Sequence, residues 1–140
     1  MIPINYLAVL VAAIVNMVVG SLWFGPLFGK PWMKLSGITQ EDIKKAKARG
    51  MAKAYALAFV GALLMAYVLA HNVELGRTYF HMSSLVTGFN AGFWAWVGFV
   101  VPVTMGAVLW EGKSWKLWVL NSFYYLIVLV LNGLLLSYWM

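Results

Sequence analysis

The sequence predicts an all-α integral membrane protein, with four transmembrane helices in a compact bundle and a short amphipathic cytoplasmic helix between the first two. Hydrophobic residues make up 64% of the 140 and charged residues 10%, against about 45 to 50% and about 25% in ordinary soluble domains. The charges are segregated and leave four apolar runs, each near or above the roughly 20 residues that cross a bilayer. We therefore predict one membrane domain over residues 1–140.

The four predicted spans are residues 4–24, 52–70, 82–110 and 115–139. The second carries alanines at intervals of four from Ala54 to Ala70, a small-residue ladder that predicts close packing on a helix of the same chain or of another copy. The third is interrupted by glycines and Pro102, so a kink is expected. Its helical spacing also predicts one seam that runs from Gly88 and Gly92 through Phe99.

The first span ends in a membrane-exit motif between positions 20 and 32. Prolines predict two helix stops there, at Gly25-Pro26 and at Lys30-Pro31. Its aromatic residues are of the kind that settle at the level of lipid headgroups. The residues of the motif are Gly20, Trp23, Phe24, Gly25, Pro26, Phe28 and Trp32.

A basic helix is predicted directly after this motif. Thr39 lies three residues before Asp42, the spacing of a capping box. The segment from Lys44 to Arg49 alternates basic and apolar residues, so it suits a membrane surface and anionic lipid headgroups. These contacts with the lipid bilayer account for the net charge of +6, and no nucleic-acid partner is predicted.

Nine of the ten basic residues lie in or beside the first and third links, and only Arg77 lies in the second. The positive-inside rule then places the first and third links in the cytoplasm and both termini outside. The predicted location is a cytoplasmic (inner) membrane.

The candidates for catalysis or metal binding are few. The chain has no cysteine, which removes thiolate chemistry and Cys-based metal sites. The predicted hydrated link from His71 to His81 contains His71, Glu74 and His81, a weak candidate metal set whose commoner explanation is an ordinary solvated loop. No cofactor or catalytic residue is predicted, and the sequence disfavours an enzyme. No charged residue lies in the middle of a predicted span, which disfavours proton-coupled transport.

Polar side chains inside the spans are the remaining candidates for a binding site. Asn5 and Asn16 are eleven residues apart, as are Asn121 and Asn132, and the first and fourth helices are antiparallel. This register predicts an Asn16–Asn121 pair and an Asn5–Asn132 pair, while a water-filled path or a subunit interface are the alternatives. The full set, a ligand-binding or helix-pairing polar face, is Asn5, Asn16, Asn90, Asn121, Tyr125 and Asn132.

Three motifs connect the chain to a known family. The exit motif is preceded by Asn5 and followed by Gly37-Ile-Thr, and the other two motifs are Gly92-Phe-Trp-Ala-Trp-Val-Gly-Phe and Trp110-Glu-Gly-Lys-Ser-Trp-Lys-Leu. Over nearly its whole length the chain resembles the bacterial membrane-protein family catalogued as domain of unknown function 1761, with Phe24 where that family often carries tyrosine. The resemblance implies four spans in a small bundle, located in a bacterial cytoplasmic (inner) membrane, and implies no activity.

The predicted function follows from small-residue seams and from the scarcity of catalytic groups. We expect a self-associating structural bundle, or one that binds a small ligand or lipid, with a homo-oligomer as one form of self-association. The alternative is an uncoupled transporter or channel for a small neutral or apolar solute, which the broken third span favours.

Overall fold

The computed structural model describes residues 2–139, and all regular secondary structure in that range is helical. Two short π-helical turns, Trp23–Leu27 and Trp96–Val100, interrupt the α-helices. The α-helices are α1 (Tyr6–Leu22), α2 (Gly29–Ser36), α3 (Gln40–Arg49), α4 (Ala52–Phe80), α5 (Ser84–Ala95), α6 (Val101–Thr104), α7 (Gly106–Leu109) and α8 (Trp115–Trp139).

Within residues 2–139, four helical segments are long and apolar enough to cross a membrane, which agrees with the predicted number of apolar spans. By length and composition they are Tyr6–Leu27, Ala52–Phe80, Ser84–Leu109 and Trp115–Trp139. The 25 residues of the last segment, at about 1.5 Å per residue, are long enough for a hydrocarbon core of about 30 Å.

The predicted capping box at α3 is confirmed. The Asp42 carboxylate accepts a hydrogen bond of 2.9 Å from the Thr39 amide, and the Thr39 hydroxyl accepts one of 3.1 Å from the Asp42 amide. Thr39, first through its backbone amide and then through its side chain, holds the pKa of the Asp42 carboxyl group below its usual value of 3.8. The cap therefore contributes fully above that pH and is lost as the pH falls through the lowered pKa.

The prediction of a hydrated link from His71 to His81 was wrong, because α4 continues to Phe80. No proline interrupts this stretch, and Val73 is fully buried, so one face of this part of α4 still packs against the rest of the protein. Arg77 and Glu74 form an ion pair one turn apart, with Nη2 2.9 Å from Oε2. The connection to α5 is therefore only three residues long, from His81 to Ser83.

One of the two predicted helix stops in the exit motif was also wrong. At Gly25 the backbone leaves the helical region, with φ −107° and ψ −105°, so the chain does bend there. Pro31, however, lies inside the first turn of α2. A proline is tolerated there because the amide hydrogen that it lacks would have no partner within the helix.

Small residues of α1 and α4 lie together in the buried core. Ala8 and Ala12 of α1 are fully buried, as are Ala66 and Ala70 of α4. The predicted alanine ladder is thus buried toward its C-terminal end, whereas Ala54 at its start is exposed. One end of the ladder packs within this chain.

The contact of α5 with α8 is closer, because backbone meets backbone. A Cβ atom added at Gly88 or at Gly133 would collide with the carbonyl oxygen of the other, and one added at Gly92 would collide with the carbonyl of Leu129. One turn beyond Gly133, the Ser137 hydroxyl donates a hydrogen bond to the Ser84 carbonyl. Glycines at these positions let two helices approach as small-residue motifs do in membranes.

Replacing Gly92 by alanine should therefore destabilise the protein, because the new methyl group must displace the backbone of α8. We expect a loss of about 1 to 3 kcal/mol in the free energy of unfolding, the usual cost of overpacking. The measurement is reversible unfolding in mixed micelles. Gly61→Ala is the matched control, since a Cβ at Gly61 meets nothing within 4 Å; equal losses for both variants would contradict the close contact.

Candidate functional site

The elbow, residues 23–28 of the exit motif, is held against α8. The Trp23 indole Nε1 donates a hydrogen bond of 3.1 Å to the Leu120 carbonyl. The ring of Phe24 meets the ring of Tyr124 edge-on, with 5.0 Å between centroids. Phe28 and Trp32 extend the aromatic cluster, since Phe28 lies 4.5 Å from Trp23 and Trp32 lies 5.3 Å from Phe24 between ring centroids. The exit motif is therefore a helix-docking element.

Tyr124 is the centre of this contact. Its hydroxyl donates a hydrogen bond of 2.7 Å to Asn16 Oδ1 and lies 3.2 Å from the Asn16 carbonyl oxygen. A Cβ atom at Gly20 would lie 2.9 Å from the same hydroxyl, so glycine leaves the room that the phenol needs. Asn16 and Tyr124 are both buried. One hydrogen bond thus ties the middle of α1 to α8.

The segment from α5 to α7 departs from a regular helix next to α8. In the second π turn, the Val101 amide donates to the Trp96 carbonyl five residues earlier, and Pro102 then has no amide hydrogen to donate. Two indoles tie the broken stretch to α8: Trp96 Nε1 donates to the Ser122 carbonyl at 2.7 Å, and Trp118 Nε1 donates to Thr104 Oγ1 at 2.9 Å. π turns of this kind are frequent at functional sites.

Two cavities lie beside this stretch. The polar cavity has a volume of about 620 Å³, and its lining includes the charged residues Glu111 and Lys113. The apolar cavity has a volume of about 510 Å³ and is lined mainly by apolar side chains, most of which come from α4, the second π turn, α6 and α8. Val103, Thr104 and Tyr125 line both, so the two cavities adjoin. Their volumes are in the range of small-ligand sites, about 300 to 1,000 Å³.

Two members of the predicted polar face, Asn121 and Tyr125, lie at these cavities. Asn121 lines the polar cavity, and its Oδ1 atom is buried with no hydrogen-bond partner within residues 2–139. A half-turn of the amide exchanges its oxygen and its NH₂ group, so this side chain can offer the cavity an acceptor or two donors. The cavities are therefore the candidate site.

The other asparagines of the predicted face lie outside the lining of both cavities, so the structure does not form one polar face. Asn5 caps α1, accepting a hydrogen bond of 3.1 Å from the Ala8 amide. Asn90 donates to the Val86 carbonyl of its own helix at 2.9 Å. Asn132 is buried, and its Oδ1 has no hydrogen-bond partner among the described residues.

The predicted asparagine pairs were wrong. Asn16 Oδ1 accepts from the Tyr124 hydroxyl, which reaches across the helix contact farther than a second amide would. Asn121 Oδ1 and Asn132 Oδ1 have no partners in the described chain, so neither accepts a hydrogen bond from Asn16 or Asn5.

The weak metal candidates do not converge. His71 Nδ1 lies 2.8 Å from the carbonyl oxygen of Tyr67, one turn earlier. Arg77 Nη2 donates a hydrogen bond of 3.0 Å to Glu74 Oε1 and is also in ionic contact with Oε2. Between residues 2 and 139 no three His, Cys, Asp or Glu side chains are close enough together to hold a metal ion.

Sequence reasoning missed Tyr124, Thr104 and the two indoles that join the broken stretch to α8, Trp96 and Trp118. Tyr124 adjoins the predicted Tyr125 but belongs to a different face of α8, which nothing in the local pattern marks. Thr104 and Trp118 are separated by 14 residues and lie on different helices. The one local signal for Thr104 is its position close after Pro102, where the helix is interrupted. In the structure, Thr104 Oγ1 also donates to the Val100 carbonyl at 2.6 Å.

A family model covers nearly the whole chain. The family described as "Protein of unknown function (DUF1761)" matches residues 7–137. The protein belongs to this family, which confirms the resemblance seen in its motifs. Comparisons with curated proteins and with solved structures return no match.

The coupling between Asn16 and Tyr124 is directly measurable. In a double-mutant cycle of Asn16→Leu and Tyr124→Phe, we expect a coupling above about 0.5 kcal/mol in the free energy of unfolding, as for residues in contact. Asn16→Leu combined with Asn121→Leu is the matched control and should be additive. Coupling in the second cycle and additivity in the first would instead support pairing of the two amides.

Proposed function

We propose that this protein is a membrane-spanning four-helix bundle that binds a lipid-like amphiphile in its two adjoining cavities. One observation carries the proposal: a mainly apolar cavity meets a more polar one at Val103, Thr104 and Tyr125. An amphiphile has the same arrangement of an apolar chain joined to a polar group. The polar groups of the site are few and convergent, as in known small-molecule sites.

The apolar cavity has an opening through which an acyl chain could enter from the side. Leu64, Val68 and Phe99 line it and are more than half exposed. Leu69 and Leu129 line its inner part and are buried. If the four apolar helices span a bilayer, this opening faces lipid chains, so the ligand needs no path through water.

The proposed orientation follows from the distribution of basic residues. With both termini outside a bacterial cytoplasmic membrane, Glu111 and Lys113 lie at the cytoplasmic surface and the polar cavity is at headgroup depth. Self-association is a further part of the proposal. The exposed small residues Ala54 and Ala58 at the start of α4 are suited to contact with a second copy, since such residues let helices approach.

An uncoupled facilitator for a small neutral or apolar solute is the second candidate. The specific observation in its favour is the broken third segment beside both cavities, because discontinuous helices often form transport sites. In this case the two cavities would be parts of a path and not of a closed site.

Filling the apolar cavity should prevent lipid binding. Val68→Trp places an indole at the opening, and we expect about a fivefold or greater reduction in bound phospholipid, since overpacking of about 1 kcal/mol or more opposes the chain. The measurement is native mass spectrometry of detergent-purified protein titrated with phospholipid. Val60→Trp is the matched control, because Val60 lies two turns earlier on α4, is similarly exposed and is outside the cavity lining.

Equal lipid binding by the two tryptophan variants would contradict the lipid-binding proposal. Unchanged lipid binding together with a reduced solute flux into proteoliposomes for Val68→Trp alone would favour the facilitator. Melting temperatures of both variants show whether either effect comes from misfolding.

A further inference from the structure

The rim of the polar cavity carries one negative and one positive side chain. Glu111 and Lys113 both line the cavity and are both exposed. The turn between them is fixed, because Gly112 has φ +70° and the Lys113 amide donates to the Ala107 carbonyl at 3.0 Å. Among the described residues, the ion pairs are Lys45–Glu41 and Arg77–Glu74. Glu111 and Lys113 therefore remain available to a ligand.

Aromatic rings line the same cavity. Phe24, Trp110, Trp118 and Tyr125 all contribute to its wall. The indole N–H of Trp118 is already bonded to Thr104, so what it offers a ligand is its ring. Aromatic faces attract ammonium groups, with tryptophan the strongest. Together with Glu111, this wall suits a cationic group better than an anionic one.

The cavity lining also contains one side chain that suits an anionic group. Lys113 is the one basic residue of its lining, and a lysine ammonium binds phosphate as a point charge. The Asn121 amide lies later in the chain, on α8, and lines the same cavity. It can offer donors or an acceptor to the polar atoms next to a bound phosphate. Beyond Asn121, Tyr125 marks the junction with the apolar cavity.

We propose that the polar cavity selects a zwitterionic phospholipid headgroup. The ammonium group lies against Glu111 and the aromatic rings, the phosphate lies against Lys113, and an acyl chain passes Tyr125 into the apolar cavity. An anionic lipid would bring phosphate to Lys113 but leave Glu111 without a cation. This inference rests on the proposed lipid binding and concerns a different surface from the basic segment Lys44 to Arg49, which is suited to anionic lipid.

The test is a competition between lipids of equal chain length for the detergent-purified full chain, followed by native mass spectrometry. Phosphatidylethanolamine and phosphatidylcholine should each bind about three- to fivefold more tightly than phosphatidylglycerol, the upper range for an exposed ion pair. Glu111→Gln should abolish this preference. Lys113→Gln should weaken binding of all three lipids, because each contains a phosphate.

The matched controls are Glu41→Gln and Lys45→Gln, which make the same charge changes at an exposed ion pair on α3. Neither should alter the preference between headgroups. Equal or tighter binding of phosphatidylglycerol by the unmodified protein, or a preference that survives Glu111→Gln, would overturn the headgroup assignment while lipid binding itself stands. Absence of binding by all three lipids would overturn the proposed function and this inference with it.

Discussion

Close approach to α8 is the constraint on which the rest of the structure depends. If these helices lie in lipid, apolar side chains gain little by leaving lipid for protein, so helices associate through dispersion contacts and hydrogen bonds. α8 meets this requirement in two different ways. Gly133 lets the backbone of α5 touch it, and Tyr124 reaches out to bond with Asn16 of α1. α8 therefore positions both the first and the third long segments.

The cavities are a consequence of how the third segment is held. α5 packs closely on α8, but the second π turn and Pro102 shift the helical register beyond it. The chain then stays near α8 through the Trp118–Thr104 hydrogen bond, without the backbone contact that Gly88 and Gly92 allow. Space remains on both sides of Thr104, and the proposed ligand occupies it.

The spacing of residues along the sequence predicted features within single helices, but it did not predict which side chains meet between helices. The capping box at Thr39 and the Gly88-x-x-x-Gly92 contact follow from spacing along one helix. The predicted seam does not extend to Phe99, which is 76% exposed. The π turn inserts an extra residue there, so positions after it no longer follow the regular α-helical period. Pairing Asn16 with Asn121 assumed that like amides meet, but Tyr124 is longer and reaches Asn16 first. At the candidate site, Asn121 and Tyr125 were predicted, while the charged rim emerged only from the fold.

The most direct test of the account is a nuclear Overhauser measurement on methyl-labelled protein in deuterated detergent with protonated phospholipid. The account predicts cross-peaks from lipid chains to the methyl groups of Leu69 and Leu129, which are 2% and 6% exposed and line the apolar cavity. Leu136 is fully buried away from the cavity lining and should show none. Exposed Leu57 should show them in any case. Cross-peaks to Leu57 without any to Leu69 or Leu129 would mean that lipid only surrounds the protein, and would contradict a lipid-binding cavity.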